Sequence, residues 1–227
     1  MKKQILITII VCSVLCSMLT GSAQAGLISI SSDPLSSDGA EITSLGIIVS
    51  AWNAGGNDGD TPTISGITFS DDQPASITYS LPGGGVLVDS TQEGVYTGAM
   101  LEIMEDFLFG GQATNGTLTI SDLAIGQVYQ VQLTHHQAGA GAGSRRSEVH
   151  FGLEAGAPGG GVFDASETGG FITTVQFTAD ADNQSFLLRV GGSDRFILNS
   201  VSVTAVPEPT TLVVLGLGSL GLLRKRK

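Results

Sequence analysis

Along much of the chain apolar and polar residues alternate one for one. Tyr129, Val131 and Leu133 stand against Gln130, Gln132 and Thr134, and Phe186, Leu188 and Val190 repeat the pattern. Successive side chains of a strand point to opposite faces, so this period predicts half-buried β-strands. Strands are expected over 45–51, 64–69, 76–80, 117–120, 128–135, 147–153, 171–178, 186–190 and 196–203. Glycine-rich breaks at 55–56, 83–85, 139–143 and 159–161 separate them. Many short strands with such turns predict an all-β, antiparallel sandwich or barrel. One segment has a helical period instead. Over 96–108, Tyr96, Met100, Ile103 or Met104, and Phe107 form an apolar stripe, predicting a short helix across one end or face of the sheets.

The two ends of the chain break this pattern. Lys2 and Lys3, an apolar stretch from Ile5 to Leu19, and Ala23-Gln24-Ala25 match a secretory signal with cleavage after Ala25. Both cysteines, Cys12 and Cys16, fall inside it, so the mature chain is expected to hold no thiol. That excludes a disulfide scaffold, a thiolate zinc site and a cysteine nucleophile. At the other end Val206-Pro207-Glu208-Pro209 precedes an apolar run at 210–223 and then Arg224, Lys225, Arg226 and Lys227. Two prolines so close cannot continue a strand, so the folded body is expected to end there. As a helix the run would span about 21 Å at 1.5 Å per residue, short for a hydrocarbon core of about 30 Å. The four cations are expected to stop it at the cytoplasmic side. The expected division is 1–25 signal, 26–205 sandwich and 206–227 tail.

That three-part tail resembles the PEP-CTERM sorting signal of Gram-negative bacteria that make exopolysaccharide. The resemblance implies recognition of Pro207, Glu208 and Pro209 by a membrane-embedded exosortase, transient anchoring in the inner membrane, and delivery of the body to the cell surface or its matrix. The body also resembles a β-sandwich module of exported Verrucomicrobia and Planctomycetes proteins. The residues that carry this resemblance are Ala51-Trp52-Asn53-Ala54-Gly55-Gly56, Ile64-Ser65-Gly66-Ile67-Thr68-Phe69, Leu118-Thr119-Ile120-Ser121-Asp122-Leu123 with Gly126-Gln127-Val128-Tyr129, Phe177-Thr178-Ala179-Asp180 and Ile197-Leu198-Asn199-Ser200-Val201. It implies a jelly roll of galactose-binding-like type, akin to carbohydrate-binding modules.

Charge narrows the function. Residues 26–206 carry 20 acidic side chains against Arg145, Arg146, Arg189 and Arg195, a net charge of −16. Such a body repels nucleic acid, whose binding needs clustered cations. It also repels anionic membranes and acidic polysaccharides unless divalent cations bridge them.

Candidate chemistry is sparse. Asn57-Asp58-Gly59-Asp60 packs acidic oxygens around a turn glycine, as calcium loops do, and Asp180, Asp182 and Asn183 form a second cluster. Both also suit ordinary turns. Asp71-Asp72 reads as a turn. Trp52 offers either a sugar platform or a core residue, the latter favoured by Ile47, Ile48 and Val49 before it. Arg146, beside Arg145, offers a guanidinium fork or a local pair for Glu148 or Glu154. His135, His136 and His150 flank one loop. Two of them could meet on adjacent strands, but no third metal ligand is evident, and polar strand-end histidines are the simpler reading. No Gly-x-Ser-x-Gly elbow is present, and nothing singles out Glu102, Glu105 or Asp106. The expected protein is a non-catalytic structural or glycan-binding component of extracellular polysaccharide. Trp52, His136 and Arg146 are expected near the ligand, with a structural Ca²⁺ as an option. The rivals are an enzyme of unseen site and a ligand-free spacer.

Overall fold

The computed structural model of the chain describes residues 26–56, 59–81, 86–89, 96–111, 115–136, 146–154, 156–164, 169–190 and 195–207. Their elements run β1 (Gly26–Pro34), β2 (Ile47–Asn53), β3 (Thr63–Ile64), β4 (Ile67–Thr68), β5 (Ile77–Ser80), β6 (Val86–Asp89), α1 (Ala99–Glu105) and β7 (Asp106–Phe109). They continue with β8 (Gly116–Ser121), β9 (Val128–His135), β10 (Arg146–Phe151), β11 (Phe163–Asp164), β12 (Phe171–Thr178), β13 (Asn183–Val190), β14 (Ile197–Leu198) and β15 (Ser200–Val206).

Two five-stranded antiparallel sheets form the sandwich, in the orders β1-β12-β9-β15-β2 and β11-β10-β13-β8-β5. Among the described residues the expected all-β fold with one helix is observed. The core between the sheets comes from the alternating positions. Tyr129, Val131, Leu133, Val175, Phe177, Val201 and Val203 of the first sheet meet Ile77, Leu118, Ile120, Val149, Phe186 and Leu188 of the second. Phe151, Phe177 and Phe186 bridge the layers with ring centroids 5.4 to 6.1 Å apart. Burial of such side chains stabilises the fold by about 1.5–3 kcal/mol each.

The other face of the first sheet is polar in sequence yet also covered. Gln130 donates to Thr43 O at 2.9 Å, and Gln132 donates to Glu41 O at 3.0 Å while accepting from Thr43 N at 2.9 Å. The amides are buried because the segment after β1 lies on them and uses them as backbone partners. Beyond them, Tyr96, Met100, Ile103 and Met104 pack with Ile42, Ile64, Phe69 and Ile172 in a second apolar cluster. The helix therefore lies on a face of the sandwich.

Three expectations are corrected. The helix is shorter than 96–108: it starts after Gly98, which has φ 58°, and ends at Asp106, already extended at φ −93° and ψ 135°. Phe107, Leu108 and Phe109 instead pair with β6 and β14 in a small third sheet. An apolar run fits either period, and the side-chain partners of Asp106 favour the strand. The segment 64–69 is not one strand. Ser65 and Gly66, at φ 52° and 79°, turn β3 back on β4, as a two-residue hairpin with a primed turn requires. Finally β9 and β10, consecutive in sequence, belong to different sheets. The adjacency imagined for the histidine strands does not exist.

Candidate functional site

A cleft of about 480 Å³ lies along the last residues of β2 and the segments that follow. Trp52, Gly55, Gly56, Gly59, Asp60, Thr61, Ser70, Asp71, Asp72 and Gln73 line it. The strand after Asn53 cannot continue, and the chain loops out through two glycines. It then returns so that Ser70 bridges Trp52 in parallel, with Asn53 N donating to Ser70 O at 2.8 Å. The contact is tight: a Cβ on Gly56 would lie 2.2 Å from Asp71 Oδ1, so a larger residue there would displace that carboxylate.

Asp71 is held from two sides. Gly59 N donates to its Oδ2 at 2.8 Å and Asn53 Nδ2 to its Oδ1 at 3.3 Å. The same Asn53 amide donates to the buried Asp106 Oδ2 at 2.6 Å. Asn199 anchors the far side of this network. Its Nδ2 donates to Asp106 O at 2.9 Å and Met104 O at 3.3 Å, while its Oδ1 accepts from His136 N at 2.5 Å. Among the described residues Asn53 Oδ1 has no hydrogen-bond partner. Asp60, Asp72 and Gln73 are exposed and present acceptors to the cleft, with Asp71 half-buried behind them. Such a rim accepts hydrogen bonds from hydroxyl or amide donors and repels anions.

Trp52 takes the core position weighed in the sequence. It is 2% exposed and stacks on Tyr79, with ring centroids 5.6 Å apart and planes 13° from parallel. It walls the cleft without standing out as a platform. His136 does not line the cleft. It is buried edge-on against Tyr96, centroids 5.0 Å apart, and neither ring nitrogen finds a hydrogen-bond partner among the described residues. Arg146 does not line it either. It is exposed at the start of β10, in register with Asp164. Of the three residues expected at the ligand, only Trp52 borders this site.

Burial alone depresses the His136 pKa to about 4. Burial, opposed by a hydrogen bond to Ile197 O, does the same for His135. Both rings are neutral at pH 7. His150 instead joins Glu148 at 2.8 Å and Ala157 O at 2.8 Å. The histidines thus occupy separate surroundings. Among the described residues no three histidine or carboxylate side chains converge in a metal-holding group. Asp182 receives Asn183 Nδ2 at 2.8 Å and, through its backbone carbonyl, Leu123 N at 2.9 Å, as turn residues do. Asn57 and Asp58 lie outside the described residues, as do Ala23, Ala25, Arg145, Glu208, Pro209 and the basic residues 224–227. Val206 closes β15 opposite Val128, and Pro207 follows where the folded body was expected to stop. Among the described residues no helix is long and apolar enough to cross a membrane.

Sequence reasoning missed Asp71, Asp72, Asn53, Asp106 and Asn199 as members of one site. The available signal was Asn53 and Asn199 standing inside otherwise apolar strand segments, where a buried amide needs partners.

No curated protein sequence matches the chain. Among solved structures, β-glucuronidase 2 of Bacteroides uniformis is similar with a TM-score of 0.52 at 14% identity, over 70% of this chain and 18% of that one. This likeness shows the fold alone, and the chain spans under a fifth of that enzyme's length. TmCBM61, solved with β-1,4-galactotriose, is similar with a TM-score of 0.23 at 13% identity, over 55% of this chain and 89% of that one. The PEP-CTERM protein-sorting motif matches residues 205–227, so the chain carries an export and sorting signal that begins at the end of β15.

Proposed function

We propose that the chain is an exported, exosortase-sorted β-sandwich of jelly-roll type, without catalytic activity, that binds neutral glycan of the extracellular polymer in the cleft beside Trp52. The observation that carries this reading is the cleft itself: a space of about 480 Å³ with one indole wall and a rim of Asp60, Thr61, Ser70, Asp72 and Gln73. Sugar hydroxyls donate to carboxylates and amide oxygens such as those this exposed rim presents. The net charge of −16 over residues 26–206 favours neutral over uronate-rich polymers. The sorting tail supplies delivery to the surface, where such a ligand is found.

The test is binding of residues 26–206 to a panel of neutral and acidic glycans, with Ca²⁺ and with chelator, while released products are measured. Neutral glycans bound equally in both conditions, with no product, are expected. Binding lost in chelator would make the cleft carboxylates cation ligands. Product release would replace the binder with an enzyme, and no binding anywhere would leave a spacer.

A further inference from the structure

The registers of the first sheet bring both processing junctions to one end of the molecule. Gly26 pairs with Thr178, Thr178 with Val128, and Val128 with Val206, a single rung across β1, β12, β9 and β15. Three strand spacings separate its ends, about 14 Å at about 4.8 Å each. The residue after the expected signal cleavage and the last residue before Pro207 are therefore neighbours at the same edge of the body.

That end also collects exposed apolar side chains. Ile47, 72% exposed, lies opposite Ala205, one residue before the tail. Leu45, just before β2, and Ile48 and Val49 on it are exposed as well, and β2 is an outer strand of its sheet, with no strand on its other side here among the described residues. Ile125, 71% exposed, sits in the loop whose Gln127 donates to Val206 O at 2.6 Å. Ile28, 54% exposed, stands two residues after Gly26 on β1. The chain is tied closely here, because a Cβ on Gly46 would meet Ala205 O at 2.1 Å and Pro207 Cδ at 2.6 Å. An apolar, unpaired strand edge is a liability in water, and proteins normally cover it.

We infer that this end is a membrane-facing surface: the patch around the tail exit rests on the outer face of the lipid bilayer while the tail is inserted. The inference rests on the reading of 210–223 as an anchor. From Pro207 to Thr210 is three residues, at most about 10 Å of extended chain. An inserted tail thus holds the patch within reach of the headgroups, and an apolar run about 9 Å shorter than the hydrocarbon core draws the body closer. The trp-walled cleft, at the other end of β2, lies about 17 Å away along the strand and stays open to the outside.

The mature sequence contains no cysteine, so single cysteines report position cleanly. The chain from Gly26 to Lys227, kept uncut by production without exosortase, is reconstituted in phosphatidylcholine vesicles. Separate variants Ile47→Cys, Ile125→Cys, Asp72→Cys and Leu215→Cys carry a fluorophore, and lipids carry a quencher. At least twofold quenching is expected at positions 47, 125 and 215, with none at 72. Quenching at 215 with none at 47 and 125 overturns the surface and leaves the anchor. No quenching at 215 overturns the anchor and the surface together. Disulfide linkage between two copies of the Ile47→Cys variant, without lipid quenching, also overturns it, giving the edge to a second copy. Unchanged melting temperatures of the labelled variants show that the exposed substitutions leave the fold intact.

Discussion

The two ends of the first sheet invert the usual distribution of side chains. At the Gly26–Val206 end, apolar Ile28, Ile47 and Ile125 face outward. At the opposite end, polar Asn53, Asp106, His135, His136 and Asn199 are buried. Exposed apolar groups need an external partner to leave water, whereas buried polar groups need internal partners to leave it. The first end therefore leaves apolar surface uncovered by the described residues. The second is shaped by what it must hold still: the cleft wall and Asp71.

Acid distinguishes the two ends most strongly. His135 and His136 have folded pKa values near 4, below the ordinary 6.5. Between pH 6.5 and 4 the unfolded chain binds protons that the folded chain refuses, so stability is full above 6.5 and falls as pH drops toward 4. The loss is about 3 kcal/mol per ring as an upper bound. Denaturant midpoints across that range should fall steeply, and less steeply in a His135→Phe variant.

Trp52→Ala should cost about 3–5 kcal/mol by opening the core beside Tyr79, whereas Ile47→Ala should change the melting free energy by under about 0.5 kcal/mol. Equal costs would show that the two ends of β2 are packed alike. Asn199→Ala removes the partners of Met104 O, Asp106 O and His136 N at once, and a loss of about 3 kcal/mol is expected in chemical denaturation.

Much of the sandwich was legible in the sequence. The strands at 128–135 and 171–178 appear with the expected bounds because each carries a run of clean alternation, Tyr129 to Thr134 and Thr174 to Thr178. The first strand was not, since serines fill Gly26–Pro34 and only its pairing with β12 makes it a strand. The sites were less legible. His135 and His150 look adjacent in sequence because nothing local says that consecutive strands enter different sheets. Asp71-Asp72 reads as a turn because it is one; its place beside Trp52 depends on the bridge from Ser70. The shared rung of Gly26 and Val206 is a fact of register, which no periodicity states.

A smaller effect tests the cleft alone. Asp72→Asn should weaken neutral-glycan binding about tenfold while the melting temperature holds, because the side chain is exposed and acts on ligand rather than fold. Ile47→Ser with Ile125→Ser should leave both binding and stability within error and alter vesicle association only.

The most direct measurement uses the single tryptophan, which walls the cleft. Titration of residues 26–206 with a neutral oligosaccharide should shift Trp52 emission saturably, and the Asp72→Asn variant should need about ten times more ligand. Emission that stays unchanged with every glycan, with or without Ca²⁺, while the body remains folded, would contradict the account.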